Sequence, residues 1–398
     1  MRMDSMSFAS QAAESVRRGQ CAFCKFLSAN DTGKTGGHQA GIYIPKNAVS
    51  LIFPTPFDKG ANHDRWAEIH WMASEVSKSR FIYYGRGTRN EYRITHCSSN
   101  HFDPLDEEHT GGLLVLVRCD WDAYEGWILN HDEEIDDFFA ILDLEPAQVG
   151  GLIEKSPQNE RGLQAQIFQA FTATLSDNFP TAIIMSAKAR EIHETLFDHK
   201  EYTETQPDRQ LLDWLAMEYH LFRYIEDMMF HKTIQQGFSS MEEFLSVANS
   251  ITNRRKSRAG KSLENHLAAI FAGNRLTFET QVVTEGRKRP DFIFPGATAY
   301  HDSSFSAQNL IVLAAKTTCK DRWRQILNEA NRVRDKRKYL CTLQQGVSSK
   351  QMQEMLDEKV TLIVPAPYIA CYPRPYQKDV MSLKNFIAFA KHKKSNYP

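Results

Sequence analysis

The sequence predicts an α+β chain in two domains: a barrel-like β domain first, then an α/β domain around a central mixed sheet. Three observations carry that expectation. The chain has 398 residues, more than one hydrophobic core ordinarily serves. Its first ~175 residues alternate short β-branched and aromatic runs with turn formers. Beyond them, stripes at helical spacing alternate with short, wholly apolar runs, the pattern of helices packed on a sheet.

In the first half, Gly41–Pro45, Phe81–Tyr84, Tyr92–Thr95 and Leu113–Val117 read as strands. Turn formers separate them at Asn30-Asp31-Thr32-Gly33 and Gly85-Arg86-Gly87, and a closed or partly closed barrel satisfies such a set. The acidic run from Asp132 to Asp137 reads as a solvated helix start rather than a metal site. Gly150-Gly151, the polar stretch from Glu154 to Gly162 and Asn178-Phe179-Pro180 place the linker between residues 155 and 185, giving domains 1–175 and 176–398. In the second half Leu211, Leu212, Leu215, Tyr219, Phe222, Ile225 and Met229 mark one helix face. A second helix is expected from Ser239, where Ser239-x-x-Glu242 resembles a capping box, and a third over Lys261–Ala272. Strands follow at Thr277–Val283, Asp291–Phe294, Leu310–Ala315, Tyr339–Leu343 and Val360–Val364, with a helix between the third and fourth.

Composition narrows the function. A net charge of -1 gives no global attraction to nucleic acid, so any such contact must come from local basic patches. No apolar run reaches the ~18–20 residues that cross a bilayer, and the N-terminus lacks an apolar signal core, so a cytoplasmic protein is expected. Seven scattered Cys fit reduced thiols better than a disulfide framework. Cys21 and Cys24 could form a zinc site with His96 and Cys97, but a pair of partly buried thiols on a helix or turn is the simpler reading. Gly260-Lys261-Ser262 is no P-loop, because Arg255 stands where the first glycine is required.

The chemistry concentrates at Pro290-Asp291, Lys316 and Glu329. Asp291 opens one apolar run, Lys316 closes another, and Glu329 follows in a helix-like stretch. Two carboxylates offer hard oxygen ligands to a divalent metal, and a lysine beside them can orient a water against a phosphodiester. The commonest nuclease arrangement of this type has its second acid two residues before the lysine; here that residue is Ala314, and Glu329 is the replacement. On an α-helix from Asp321 with an apolar stripe of Trp323, Ile326, Leu327, Ala330 and Val333, Glu329 lies at the stripe edge and Arg322 about 20° away. The alternatives are a surface acid and a strand-end cap. Lys320-Asp321-Arg322 has the residue types that read G·C pairs, with a solvated helix start as the alternative. Arg254, Arg255, Lys256, Arg258 and Lys261 form a basic run, a solvated face or a phosphate clamp.

These segments resemble the EcoRII family of restriction endonucleases. Asn253–Glu264, Pro290-Asp291-Phe292 and Ala315–Glu329 resemble its catalytic domain, with His301-Asp302 and Thr342-Leu343-Gln344 continuing the likeness. Leu27–Pro45, Thr88–Glu91 and Arg93–Thr95 resemble its effector DNA-binding domain, while residues 120 to 205 diverge. The resemblance implies a type IIE enzyme that cleaves double-stranded CCWGG with Mg²⁺, stimulated by a second site and dimerising through a restriction-endonuclease-like domain. It makes Asp291, Lys316 and Glu329 the catalytic and metal site, with Glu264 as an additional acid and Tyr300 as an accessory residue. Lys320, Asp321 and Arg322 become the C·G readers, and His38, Tyr43, Arg89, Glu91 and Arg93 the effector contacts. Gly87 and Tyr92 stand where the family member has lysines, which predicts weaker or less salt-sensitive effector binding unless Arg86 compensates. A host would need a partner cytosine methyltransferase. The competing reading is an inactive sequence-specific DNA-binding regulator; retention of Asp291, Lys316 and Glu329 together argues against it.

Overall fold

A strand with one face on a core alternates apolar and polar residues, as His63–Trp71 does in the first sheet. The computed structural model describes residues 7–32, 41–146, 149–153, 162–175, 179–197, 199, 201–333 and 335–394. In chain order come α1 (Phe8–Arg18), β1 (Cys21–Phe26), β2 (Ile42–Ile44), β3 (His63–Trp71), β4 (Glu75–Tyr84), β5 (Glu91–Thr95), β6 (Leu113–Asp120), β7 (Ala123–Leu129), α2 (Asp132–Leu142) and β8 (Gly151–Leu152). The strands form one mixed sheet in the order β2-β5-β4-β3-β7-β6-β1-β8, antiparallel except where β3 meets β7. Ile69, Trp71, Phe81, Tyr83, Ile94, Leu114 and Leu116 fill its concave side. A 3-10 helix, Lys46–Leu51, touches β1, β5 and β8, bridging the two ends of the curl. The apolar run in β6 is continuous because both faces are covered: Leu113, Val115 and Val117 face α1 and α2 in a second core.

Cys21 and Cys24 lie on β1, correcting their expected place on a helix or turn. Cys24 packs in the core under α1 and α2, and Cys97 in the concave core on the other face, so the strand separates the thiols a zinc site would need. The polar stretch 154–161, Asn178 and Gly33 lie outside the described residues.

A helical layer follows: α3 (Leu163–Thr172), α4 (Ala182–Phe197), α5 (Tyr202–Thr205), α6 (Pro207–Gln236) and α7 (Met241–Gly273). The expected second and third helices are one 33-residue helix, α7, capped by Ser240 rather than Ser239; the Ser240 hydroxyl accepts from Glu243 N–H at 3.1 Å. Gly260 lies inside it without breaking it, since a single glycine costs a helix only about 1 kcal/mol. No described helix is long and apolar enough to cross a membrane.

The second sheet uses β9 (Glu279–Thr280), β10 (Phe292–Phe294), β11 (Ile311–Lys316), β12 (Lys338–Thr342), β13 (Val360–Val364) and β14 (Met381–Ser382), with α8 (Ala297–His301), α9 (Ser349–Asp357) and α10 (Leu383–Lys394) around it. β11 to β14 run parallel, while β10 pairs antiparallel with β9 and β11, so the sheet is mixed as expected. Phe292 and Phe294 face the core shared with α6, α7 and α10, and Ile293 faces the opposite cluster around Tyr300 and Val333, as a two-residue period requires.

The helix expected between β11 and β12 is two 3-10 helices, Arg322–Asn328 and Asn331–Val333. Trp323, Ile326, Ala330 and Val333 are still buried. At three residues per turn, however, positions 322 and 329 are about 120° apart rather than 20°. Arg322 and Glu329 therefore do not share a flank, contrary to the α-helical geometry.

Candidate active site

Antiparallel pairing of β10 with β11 sets the site, because it lays the residue before β10 beside the end of β11. Asp291 is 7% exposed. Its Oδ2 accepts from Ala315 N–H at 2.8 Å and from Lys316 Nζ at 3.3 Å. Its Oδ1 accepts from Gln281 Nε2 at 3.1 Å, and the same amide reaches Glu264 Oε2 at 3.4 Å. Glu264 also takes an ion pair from Lys261 at 2.8 Å. Ala314 is buried in the sheet's core.

Glu329 completes the group. Burial pushes its carboxyl up to about 7, Asp291 adds to the rise, and Lys316 and Lys288 oppose it. Its Oε2 is buried and has no hydrogen-bond partner among the described residues. Thr284 Oγ1 donates to the Glu329 carbonyl at 2.5 Å and Lys288 Nζ to that of Asn328 at 2.7 Å, so the 284–288 turn holds the segment from behind. Tyr300 is buried and donates to Glu285 Oε2 at 2.7 Å; burial and Glu285 raise its hydroxyl pKa. Its link to the acids thus runs through that turn.

Sequence reasoning missed Gln281, which bridges two acids from a left-handed conformation (φ 54°), and the turn carrying Thr284, Glu285 and Lys288. Glu264 and Gln281 are residues of ordinary spacing, and only the tertiary fold brings them to Asp291.

The Lys320-Asp321-Arg322 segment is engaged by the first domain. Asp132, 1% exposed, accepts from the backbone N–H of Lys320 (3.2 Å), Asp321 (2.7 Å) and Arg322 (3.0 Å). The acidic run does start a helix, but its first residue is buried, which corrects the solvated reading. Lys320 Nζ donates to the Glu108 carbonyl at 3.0 Å and to Asn130 Oδ1 at 2.8 Å, and burial depresses its pKa to about 8. Arg322 pairs with Asp136 at 2.6 Å, and Asp321 Oδ2 lies 3.3 Å from His131 Nδ1.

In this conformation Lys256 and Lys261 of the basic run are exposed, while its arginines are drawn into contacts within the protein. Arg255 pairs with Glu226 and lies 3.7 Å from Asp143. Buried Arg258 pairs with Glu145, and Lys256 with Asp137. The Arg254 guanidinium lies 4.6 Å over the Phe179 ring. Charged residues are rarely buried without a partner, and here the partners come from α6 and from the first domain. A cavity of about 150 Å³ remains between the domains, lined by Asp136, Arg255, Glu264, Lys316, Thr317 and Arg322.

Of the expected effector contacts, Tyr43 and Arg89 are exposed, with the Arg89 guanidinium 5.1 Å over Tyr84. Arg93 is 3% exposed, pairs with Glu91 at 3.4 Å and donates to the Gly41 carbonyl at 3.0 Å. In this conformation Arg93 braces the start of β2 against β5. His38 lies outside the described residues.

Comparison with known proteins gives the family. A family model described as "EcoRII C terminal" matches residues 222–387, and "Restriction endonuclease EcoRII, N-terminal" matches residues 16–149. The type II restriction enzyme EcoRII of Escherichia coli is 38% identical over 398 residues, covering 92% of this chain and 93% of its own. The chain belongs to the EcoRII family of type II restriction enzymes. The type II restriction enzyme SsoII of Shigella sonnei is 27% identical over 125 residues, covering 29% of this chain and 40% of its own. Among solved structures, metal-depleted Ecl18kI with uncleaved DNA aligns at TM-score 0.48 and 17% identity, over 59% of this chain and 86% of that one. The restriction endonuclease PspGI–substrate DNA complex aligns at 0.45 and 15%, over 56% and 98%. The two EcoRII family models leave residues 150–221 unmatched, where α3 and α4 lie; of the 120–205 stretch expected to diverge, residues 120–149 are still matched.

Proposed function

We propose that this chain cleaves double-stranded DNA at CCWGG as a Mg²⁺-dependent type IIE endonuclease, with catalysis at Asp291, Lys316 and Glu329. The observation that carries the reading is the buried Glu329 Oε2, without a hydrogen-bond partner among the described residues, in the electrostatic reach of Lys316 and Asp291. An anionic oxygen without a donor is unfavourable unless something cationic meets it, so the donor set fits a hard divalent ion held by Asp291 and Glu329. When bound, such an ion supplies charge stabilisation for the phosphate and a more acidic water. Lys316, anchored by Asp291, would orient the attacking water and stabilise charge on the phosphate oxygens. Glu264 and Gln281 would hold Asp291 in its rotamer.

Arg322, Asp321 and Lys320 supply the donors and acceptor for C·G pairs, and a two-fold dimer on a palindrome would place one site on each strand. In this conformation their polar groups are taken by Asp132, Asp136, Glu108 and Asn130. That supports a closed state in which the first domain occupies the DNA-reading segment until a second site, bound through Tyr43, Arg89 and their neighbours, favours release. A partner cytosine methyltransferase would protect the host.

Incubating the full chain with Mg²⁺ and a plasmid carrying several CCWGG sites tests the reading. Fragments ending at those sites support it. Binding without cleavage would favour the inactive regulator, and fragments ending elsewhere would mean another target.

A further inference from the structure

Away from the cleft, the end of α4 meets the start of α6 at His193, His199 and Asp213. Each offers a ligand atom, and these atoms lie within 4.8 Å of one another. His193 is 3% exposed, and the Nδ1 atoms of both His193 and His199 are buried without a hydrogen-bond partner among the described residues. His193 Nε2 lies 4.0 Å from Asp213 Oδ2, outside hydrogen-bond range. The imidazoles are 5.8 Å apart, and His199 stacks on Tyr202 at 4.1 Å. Three donors therefore converge without satisfying one another.

We infer that His193, His199 and Asp213 form a structural Zn²⁺ site that ties the segment after α4 to the first turns of α6. Two imidazole nitrogens and a carboxylate oxygen suit zinc, leaving a fourth position for water. Tetrahedral coordination at ~2.0–2.1 Å sets ligand atoms about 3.4 Å apart, so the cluster needs only small side-chain adjustments. Burial lowers the His193 pKa, which favours the neutral ring that binds metal, while Asp213 opposes that shift and His199 and Arg209 add to it. Arg209, 3.4 Å from Asp213 Oδ2, can stay ion-paired with the carboxylate and orient it. α5 spans only four residues in this connection, so a metal clip supplies order that local helix cannot.

The test uses tag-free full-length protein, stripped with EDTA, freed of chelator and reloaded with Zn²⁺. Zinc retained after gel filtration is measured by atomic emission, alongside thermal unfolding with and without zinc. One Zn²⁺ per chain is expected in the wild type and in Asp291→Asn, and only background in His193→Gln and His199→Gln. Zinc should raise the Tm of the wild type and not of the histidine variants. His199→Gln, at a half-buried loop position, serves if His193→Gln fails to fold. No retained zinc in the wild type, undiminished zinc in the histidine variants, or loss of zinc in Asp291→Asn would each overturn the assignment.

Discussion

Glu329 illustrates how one carboxyl can report on a site. Its pKa rises from the model-compound value of 4.5 to about 7 mainly through burial. The folded chain therefore holds a proton between those values that the unfolded chain has released. Its stability must fall as pH rises through that window, then level off above about 7. In EDTA, Glu329→Gln should remove that loss, on the order of 3 kcal/mol at pH 8 and near zero at pH 4.5. Urea unfolding at both values measures it; equal effects at the two pH values would refute the buried-acid account. Lys316→Ala should abolish cleavage while leaving CCWGG binding within a few-fold, checked by gel shift; lost binding would make Lys316 structural. Arg322→Ala should weaken discrimination against altered sites by ~1–3 kcal/mol, read from competition binding. The placing of Asp291 before β10 and of Lys316 at the end of β11 was legible from apolar runs that begin and stop there, and the fold brings Glu329 into the electrostatic reach of both. Gln281 was not, since its role rests on a left-handed backbone and a long-range contact. Burial of Arg93 and Arg258 was equally hidden, because their partners are set by tertiary packing.

At the scale of elements, strands were read well wherever an apolar run met a turn signal, as at β5, β6, β12 and β13. β1, β3 and β7 were missed, since charged residues such as Lys25, Glu68 and Glu125 interrupt their apolar runs. The segment after β11 shows another limit. A stripe at 323, 326, 330 and 333 suits either α or 3-10 geometry, and capture of three successive N–H groups by Asp132 comes from another domain. α2 is accordingly the element whose contact holds the 320–322 segment. Asp132→Ala should loosen it and raise the cleavage rate on a single-site substrate at least ~10-fold, the equivalent of ~1.4 kcal/mol. Initial rates on a one-site duplex decide this, and an unchanged or lower rate would count against the closed-state reading.

Across the whole molecule, a curled sheet and a mixed sheet are joined by long helices, and ion pairs between α2 and α7 and at Arg322 cross the junction. A plasmid with two or more CCWGG sites should therefore be cut faster per site than one with a single site; equal rates would remove the effector role. The grip of Asp132 on the 320–322 amides has a further consequence. A carboxylate cradled by consecutive N–H groups is a tethered decoy for a phosphate, present at a concentration no dilution can lower. On the closed-state proposal DNA must compete against it, and the apparent affinity of the cleft is reduced by the fraction of molecules in which the decoy sits. Salt acts on both contestants. It screens the partly exposed Arg322–Asp136 and Lys256–Asp137 pairs that keep the decoy seated, and it weakens the DNA contacts as well. Single-site cleavage should then pass through a maximum as salt rises, where a cleft without a decoy would only decline.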